Sequence, residues 1–162
     1  MRLLPSAAEH AATVAAWPAS ELEVTMWCGL REFPLPPQVV AGWGREEGVR
    51  AHVLVEGGEP LGYGELWFDA DEVELARIIV APAFRGRGVG RALVRGLTAL
   101  AREAGQENIF MRVHPANQVA LRCHRGAGFE VVEDGLAAEW NAGQPVAYVW
   151  LRHAVPAGQP PG

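Results

Sequence analysis

Cysteine is scarce in this sequence, and its two cysteines are too far apart to suggest a metal or disulfide site. The 162 residues contain only Cys28 and Cys123, and no C-x-x-C pair. Zinc sites and disulfide frameworks both use closely patterned cysteines. We therefore expect neither a resident metal nor a structural disulfide.

Long apolar runs and excess basic charge are also lacking. No stretch has the length of a membrane span, and the N-terminus has no basic region followed by an unbroken apolar one. The formal net charge is −5, whereas a nucleic-acid binder would usually carry a basic surface. We expect a soluble, cytoplasmic protein with neither a membrane nor a nucleic acid as partner.

Length and composition indicate one domain. Residues 1–153 are long enough for a hydrophobic core and contain no internal repeat. Residues 154–162 end in a stretch rich in proline and glycine, which predicts a disordered C-terminal tail.

The periodicity of apolar residues predicts an α+β fold, in which a mixed, mostly antiparallel central sheet is flanked by helices. A capping box of Ser6 and Glu9 predicts the start of the first helix. Residues 134–145 read as a polar loop. The predicted helices are Ala11–Trp17, Glu21–Leu30, Gln38–Trp43, Val89–Ala104 and Gln118–Arg125. The predicted strands are Arg2–Leu4, Val49–Val55, Leu61–Phe68, Val73–Val80, Asn108–Val113, Phe129–Glu133 and Val146–Arg152.

One stretch, Val73–Gly90, combines a buried strand, a glycine-rich turn and the start of a helix. Backbone N–H groups at a helix N-terminus favour anions, and glycine lets a phosphate approach the backbone closely. Arginine side chains add charge-assisted donors. The segment Arg85, Gly86, Arg87, Gly88, Val89, Gly90 and Arg91 is therefore predicted to hold a pyrophosphate.

The glycine spacing excludes two common phosphate motifs. It does not match G-x-G-x-x-G, and the segment has no lysine for a P-loop. The pattern [QR]-x-x-G-x-[GA] after Val80-Ala81-Pro82 instead resembles the signature of the GNAT superfamily of acetyl-CoA-dependent N-acetyltransferases. Asn117–Leu121 and Gly126–Phe129 resemble that family's second motif, so the resemblance covers roughly Val73 to Val132.

This resemblance implies a function and a cosubstrate. The protein would transfer an acetyl group from acetyl-CoA to a primary amine by direct attack in a ternary complex. Backbone N–H groups of Ile79 and Val80 would bind the pantetheine arm and the thioester oxygen where the fourth and fifth strands splay apart. Asn117 would hydrogen-bond the arm, or cap the helix that follows it, or both.

The resemblance also raises the question of a base and an acid. Glu74 lies at the spacing of a base in some family members and, by strand alternation, shares a face with Ala76, Ile78 and Val80. It could equally form a salt bridge to an arginine, and Glu65 on the neighbouring strand is a rival for the same role.

The family's usual acid, a tyrosine, is replaced by His124. The imidazolium of His124 could protonate the thiolate, or this residue could be solvated or contact a phosphate. Cys123 is not expected to be a nucleophile, because adjacent helical residues point in different directions.

Two further alternatives remain open. The chain could be a non-catalytic acyl-CoA-binding sensor. As an enzyme, it could act on an amine-bearing small molecule or on a peptide N-terminus, and a homodimer is possible. The tryptophans Trp17, Trp27 and Trp43 are expected in the core, although the resemblance also allows some of them to line the acceptor pocket.

Overall fold

In the computed structural model, which describes residues 1–154, the chain folds into a seven-stranded sheet with helices on both faces. The predicted tail thus lies outside the described residues except for Ala154. The strands are β1 Arg2–Pro5, β2 Val49–Glu56, β3 Glu59–Asp69, β4 Glu72–Val80, β5 Asn108–Val113, β6 Phe129–Val131 and β7 Val149–His153. The helices are α1 Ala11–Ala15, α2 Glu21–Cys28, α3 Pro37–Trp43, α4 Val89–Glu103, α5 Gln118–Gly126 and α6 Asp134–Asn141, with 3₁₀ helices at Ala8–His10 and Pro82–Phe84.

The strand order is β1-β2-β3-β4-β5-β7-β6, and neighbouring strands are antiparallel except for the parallel pair β4 and β5. Consecutive strands β1 to β4 form a meander, while α4 connects β4 to β5. This arrangement confirms the predicted fold class.

Each face of the sheet has its own hydrophobic core. On one face, leucines of α4 such as Leu93 and Leu97 pack on Leu66 and Leu75 of the sheet. On the other face, α1 to α3 cover the apolar side chains of β2, β3 and β4. The three tryptophans of the N-terminal third, Trp17, Trp27 and Trp43, are buried in this second core, as expected.

Two local predictions are wrong. Ser6 does not cap the first helix, because its N–H donates to the carbonyl of Ala51 in β2, which keeps the chain extended. His10 Nδ1 instead accepts from the N–H of Ala7 at 2.9 Å. The predicted loop at residues 134–145 contains α6, whose Trp140 ring packs 5.3 Å from that of Trp150. That packing stabilises a helix which the local sequence signals only weakly.

A β-bulge in β4 changes which side chains face the site. Tyr63 pairs with Ile79 but Glu65 pairs with Ala76, so Arg77 and Ile78 together face one residue of β3. Arg77 has a φ of +48°. The bulge places Ile78 against the α4 core and Ile79 in the opposite core. The prediction that Glu74 shares a face with Ile78 and Val80 is therefore wrong. Glu74 does share a face with Ala76, as predicted.

Candidate active site

The glycine-rich loop opens onto free space at the N-terminus of α4. Gly86 and Gly88 have φ values of +74° and +81°, and a Cβ built on either would meet no atom within 4 Å. Gly88 is the N-cap of α4, and its carbonyl accepts from the N–H of Ala92 at 3.0 Å. The N–H groups of the first helical turn have no intrahelical acceptor. The loop thus has the space and the donors that a phosphate requires.

The arginines of the loop have different roles. Arg85 Nε donates to the carbonyl oxygen of Val80 at 3.0 Å, and its Nη1 lies 3.5 Å from Glu23 Oε1. Arg85 therefore fastens the loop to β4 and α2. Arg87 and Arg91 are exposed and form no ion pair within residues 1–154, which leaves both available to an anion.

Gly90 serves the packing of two helices. A Cβ at this position would lie 3.0 Å from Cys123 Sγ and 3.4 Å from Val80 Cγ2. Unlike Gly88, Gly90 therefore faces protein atoms, and it allows α4 to approach α5 closely. Burial raises the pKa of the Cys123 thiol, with only partial compensation from Arg91. A thiol is a poor nucleophile in that state.

Strands β4 and β5 separate after three residue pairs, from Glu72–Asn108 to Glu74–Phe110. β4 continues to Val80 and β5 to Val113, so a V-shaped gap opens between them. A cleft of about 320 Å³ occupies this region. Its walls are formed by the C-terminal end of α2, β4, β5, one face of α5 and the residue that precedes β7.

One backbone N–H of β4 is directed into the gap. The N–H of Ala81 donates to the carbonyl of Leu61 in β3 at 2.8 Å. Because successive N–H groups of a strand alternate in direction, the N–H of Val80 points toward the gap and that of Ile79 toward β3. Of the two residues predicted to bind the pantetheine arm, Val80 has the suitable orientation.

Glu74 forms a salt bridge at the point where β4 and β5 separate. Its two carboxylate oxygens accept from Arg112 Nε at 2.6 Å and Nη2 at 3.0 Å. Burial acts to lower the pKa of Arg112, but the bonds and the charge of Glu74 outweigh it, so the pKa lies above its ordinary value. The alternative of a salt bridge to an arginine is thus observed for Glu74.

Glu65 is enclosed in a second cluster. Its side chain is fully buried and accepts from Tyr63 Oη at 2.5 Å, Trp67 Nε1 at 2.6 Å and Arg77 Nη1 at 3.1 Å. Burial raises the pKa of Glu65, and Arg77 only partly offsets this. The Arg77 guanidinium lies between the rings of Trp43 and Trp67, at 4.2 and 4.7 Å. Glu65 therefore stabilises the bulge and does not line the cleft.

His124 and Asn117 both line the cleft from α5. His124 is buried, contrary to the alternative of a solvated side chain, and its Nδ1 has no hydrogen-bond partner within the described residues. Burial lowers the pKa of His124 to about 4. Asn117 Oδ1 accepts from the N–H of Ala120 at 3.2 Å, which confirms its role as a helix cap.

Several residues of the cleft were not found by sequence reasoning, among them Arg112, His114 and Tyr148. Arg112 did give a signal, since it is a lone charge between the apolar Met111 and Val113 of a strand. Tyr148 falls within the predicted strand Val146–Arg152, but β7 begins only at Val149, so Tyr148 lies in the segment that precedes the strand.

No metal site accompanies the cleft. Within residues 1–154, no group of three or more His, Cys, Asp or Glu side chains is placed to hold a metal ion. The helices of the same described part include none that is long and apolar enough to cross a membrane.

Comparisons with known proteins agree with this geometry. A family model described as the acetyltransferase (GNAT) family matches residues 11–129. Streptothricin acetyltransferase of Streptomyces lavendulae is 31% identical over 116 residues, which is 62% of this chain and 61% of that protein. N-alpha-acetyltransferase RimI of Mycobacterium tuberculosis is 39% identical over 61 residues, 38% of this chain and 37% of that protein. In both cases the match spans less than two thirds of the relative's own length.

A solved structure shares the fold. The aminoglycoside acetyltransferase AAC(6')-Ib in complex with ribostamycin and coenzyme A superimposes with a TM-score of 0.73 at 21% sequence identity. The superposition covers 94% of this chain and 92% of the other.

Proposed function

Because the chain belongs to the GNAT family of acetyltransferases, we propose that it transfers the acetyl group of acetyl-CoA to a primary amine by direct attack within a ternary complex. One observation carries this proposal: Arg85 of the open loop donates a hydrogen bond to the carbonyl of Val80 at the end of β4, and Ile78 of the same strand lines the cleft. A phosphate-binding loop and a reaction cleft are thus connected along one strand.

Family, fold and enzyme class agree with the expectations from the sequence. The family model covers more than half of the chain, which confirms the resemblance drawn from the two motifs. The chain is an acetyltransferase of the GNAT type.

The residues present fit CoA as the acyl carrier. A phosphate can occupy the space beside Gly86 and Gly88, where a Cβ would meet no protein atom. The buried Nδ1 of His124 has no hydrogen-bond partner among residues 1–154, and a polar group of the pantetheine arm would satisfy it. The cosubstrate supplies an activated acetyl group, and Val80 N–H and Asn117 orient the arm that bears it.

Deprotonation of the amine involves Glu74 only indirectly in this proposal. Both of its oxygens are bonded to Arg112, yet a carboxylate has about four lone-pair sites. Glu74 can therefore still accept a hydrogen bond from a water molecule that takes the amine proton. Direct contact with the amine would require the bidentate pair to open.

We favour a small-molecule amine as acceptor. The streptothricin acetyltransferase relative matches a larger share of this chain than RimI does, and α2 and Tyr148 form walls around a cleft of about 320 Å³. A protein N-terminal amine is the second candidate, favoured by the RimI match. Acceptor panels should therefore include peptides with a free N-terminus.

Replacement of Gly88 by valine tests the phosphate site. The new side chain would occupy the open space of the loop and strain a left-handed backbone, so we expect Gly88→Val to abolish CoA binding in calorimetry. Gly105 is a matched control, since it has a φ of +83° and equally open surroundings but lies beyond the far end of α4. Gly105→Val should retain CoA affinity. Wild-type affinity in a folded Gly88→Val variant would contradict the assignment.

Direct attack is tested at Cys123. We expect Cys123→Ala to retain most activity, and no acetylated enzyme to accumulate when acceptor is withheld. An acetyl adduct on Cys123 in the mass spectrum of the intact protein would contradict the ternary-complex mechanism.

A further inference from the structure

We propose that Tyr148 donates the proton to the thiolate of CoA as it leaves, in place of the α5 residue His124. This inference rests on the proposed function and assigns a catalytic role to a residue outside both sequence motifs. Three observations carry it: the state of His124, the unsatisfied hydroxyl of Tyr148, and the way the fold fixes the tyrosine in the cleft.

His124 is unsuited to give up a proton near neutral pH. Its burial lowers its pKa to about 4, so the side chain is neutral at pH 7. A neutral imidazole gives up a proton far less readily than an imidazolium. The buried Nδ1, which has no partner in the described part of the chain, is an acceptor when the proton is on Nε2, and this suits binding of the cosubstrate better than acid catalysis.

Tyr148 lines the same cleft and is half-buried. Its hydroxyl forms no hydrogen bond within residues 1–154, although the backbone of this residue is held on both sides. The N–H of Tyr148 donates to Asn141 Oδ1 at 3.1 Å, and Asn141 Nδ2 donates to the Tyr148 carbonyl at 3.0 Å. Asn141 Oδ1 also accepts from Trp150 Nε1 at 2.8 Å. The end of α6 therefore fixes the tyrosine while its hydroxyl remains available.

The ring of Tyr148 has a defined orientation and charged neighbours. It packs at right angles to the His114 ring at 6.4 Å and against the Trp150 ring at 6.3 Å. The Arg112 guanidinium lies 5.5 Å from its centre, and Glu74 is the partner of that arginine. The titratable and charged groups around the ring are thus His114, Arg112 and Glu74.

The proposed step conserves protons and electrons. The amine nitrogen bonds to the acetyl carbon, and collapse of the tetrahedral intermediate breaks the C–S bond, with the electron pair remaining on sulfur. The Tyr148 hydroxyl proton passes to that sulfur and gives the free thiol of CoA. Before this collapse the attacking nitrogen, which is positively charged once it has bonded to the acetyl carbon, loses one proton to the water molecule beside Glu74, and the Tyr148 phenolate afterwards regains a proton from solvent. The net reaction forms one amide and one thiol.

Tyr148→Phe removes the hydroxyl without breaking a hydrogen bond among residues 1–154. We expect kcat with acetyl-CoA to fall by about 10²–10⁴-fold, with little change in thermal stability or in the KM for acetyl-CoA. The same variant is assayed with acetyl-seleno-CoA, whose selenolate is a far less basic leaving group and needs no proton. There, the loss should shrink to a few-fold.

Two results would overturn the role of Tyr148 as acid. Equal losses with the thioester and the selenoester would show that Tyr148 only positions substrates and would overturn the proposal, as would a kcat within three-fold of wild type. For comparison, the kcat of His124→Gln should fall by the same factor with both esters. A fall in kcat confined to the thioester would return the acid role to His124. If the wild-type enzyme itself turns over no amine, the proposed function fails, which the wild-type arm of the same assay detects.

Discussion

His124 illustrates how burial decides the chemistry of one residue. The sequence places it between Arg122 and Arg125 on a helix, a context typical of an exposed side chain. The fold instead turns it into the cleft and buries it. Its position relative to the glycine-phenylalanine pair could be predicted, but its exposure could not, because burial depends on how α5 packs on the sheet.

This burial predicts a dependence of stability on pH. The pKa of His124 is about 4 in the folded protein and about 6.5 when the chain is unfolded. Between these values the unfolded state binds more protons, so the contribution is present above pH 6.5 and is lost as pH falls through 4. The contribution of neutral, buried His124 to the free energy of unfolding is at most about 3 kcal/mol.

Urea unfolding at pH 7.5 and pH 5.0 measures this effect. We expect wild type to lose more stability on acidification than His124→Gln, by about 1–2 kcal/mol over this range. His52 and His153 also have lowered pKa values, but they contribute equally to the pH dependence of stability in wild type and in His124→Gln. Identical pH dependences would show that His124 is not buried as described.

At the scale of elements, α4 and α5 approach each other through Gly90. Gly90→Ala should destabilise the fold by about 1–3 kcal/mol, because the added methyl group overpacks against Cys123. In the double variant with Cys123→Ala most of this loss should be recovered. Gly42→Ala in α3 is the matched control, since its Cβ would meet no atom within 4 Å, and it should be neutral or stabilising. Additive losses in the double variant would contradict the contact.

The salt bridge of Glu74 and Arg112 stabilises β4 and β5 at the point where the V-shaped gap between them begins. Glu74→Gln and Arg112→Gln should each destabilise the protein by about 1–3 kcal/mol, less than for a fully buried pair, and the double variant should lose less than the sum. The exposed pair Glu133–Arg152 is the control, and Glu133→Gln should cost less than about 1 kcal/mol. If Glu74→Gln destabilises the protein as little as the control does but is inactive, Glu74 acts as the base and does not stabilise the strands at the V-shaped gap.

Most elements could be predicted from the sequence, and the exceptions have physical causes. Alternation identified β2, and the apolar run of β4 indicated a buried strand because both faces of the sheet pack on a core. The β4 bulge could not be predicted, since nothing local requires a φ of +48° at Arg77; contacts with Glu65 and two tryptophans hold it. The partner of Glu74 is 38 residues away in sequence, so only the strand pairing reveals it.

For the whole molecule, the proposed function divides between the two faces of the sheet. The α4 and α5 side provides the phosphate loop and the helix that lines the cleft, and this side carries both motifs found in the sequence. On the proposed function, the α1 to α3 side, with α6, would provide the wall that faces the acceptor and Tyr148. The second side has no motif, which is why the sequence indicates the acyl carrier but leaves the acceptor open.

The most direct test of the central claim is acetyl transfer itself. Purified protein is incubated with acetyl-CoA and a panel of amines comprising aminoglycosides, polyamines, amino acids and peptides with a free N-terminus, while free thiol and N-acetylated product are measured together. We predict that at least one amine raises thiol release many-fold above the hydrolysis rate, with one N-acetyl product formed per thiol, and that Gly88→Val abolishes both. Saturable CoA binding at the loop without acceleration by any amine would contradict the account and indicate a non-catalytic acyl-CoA sensor.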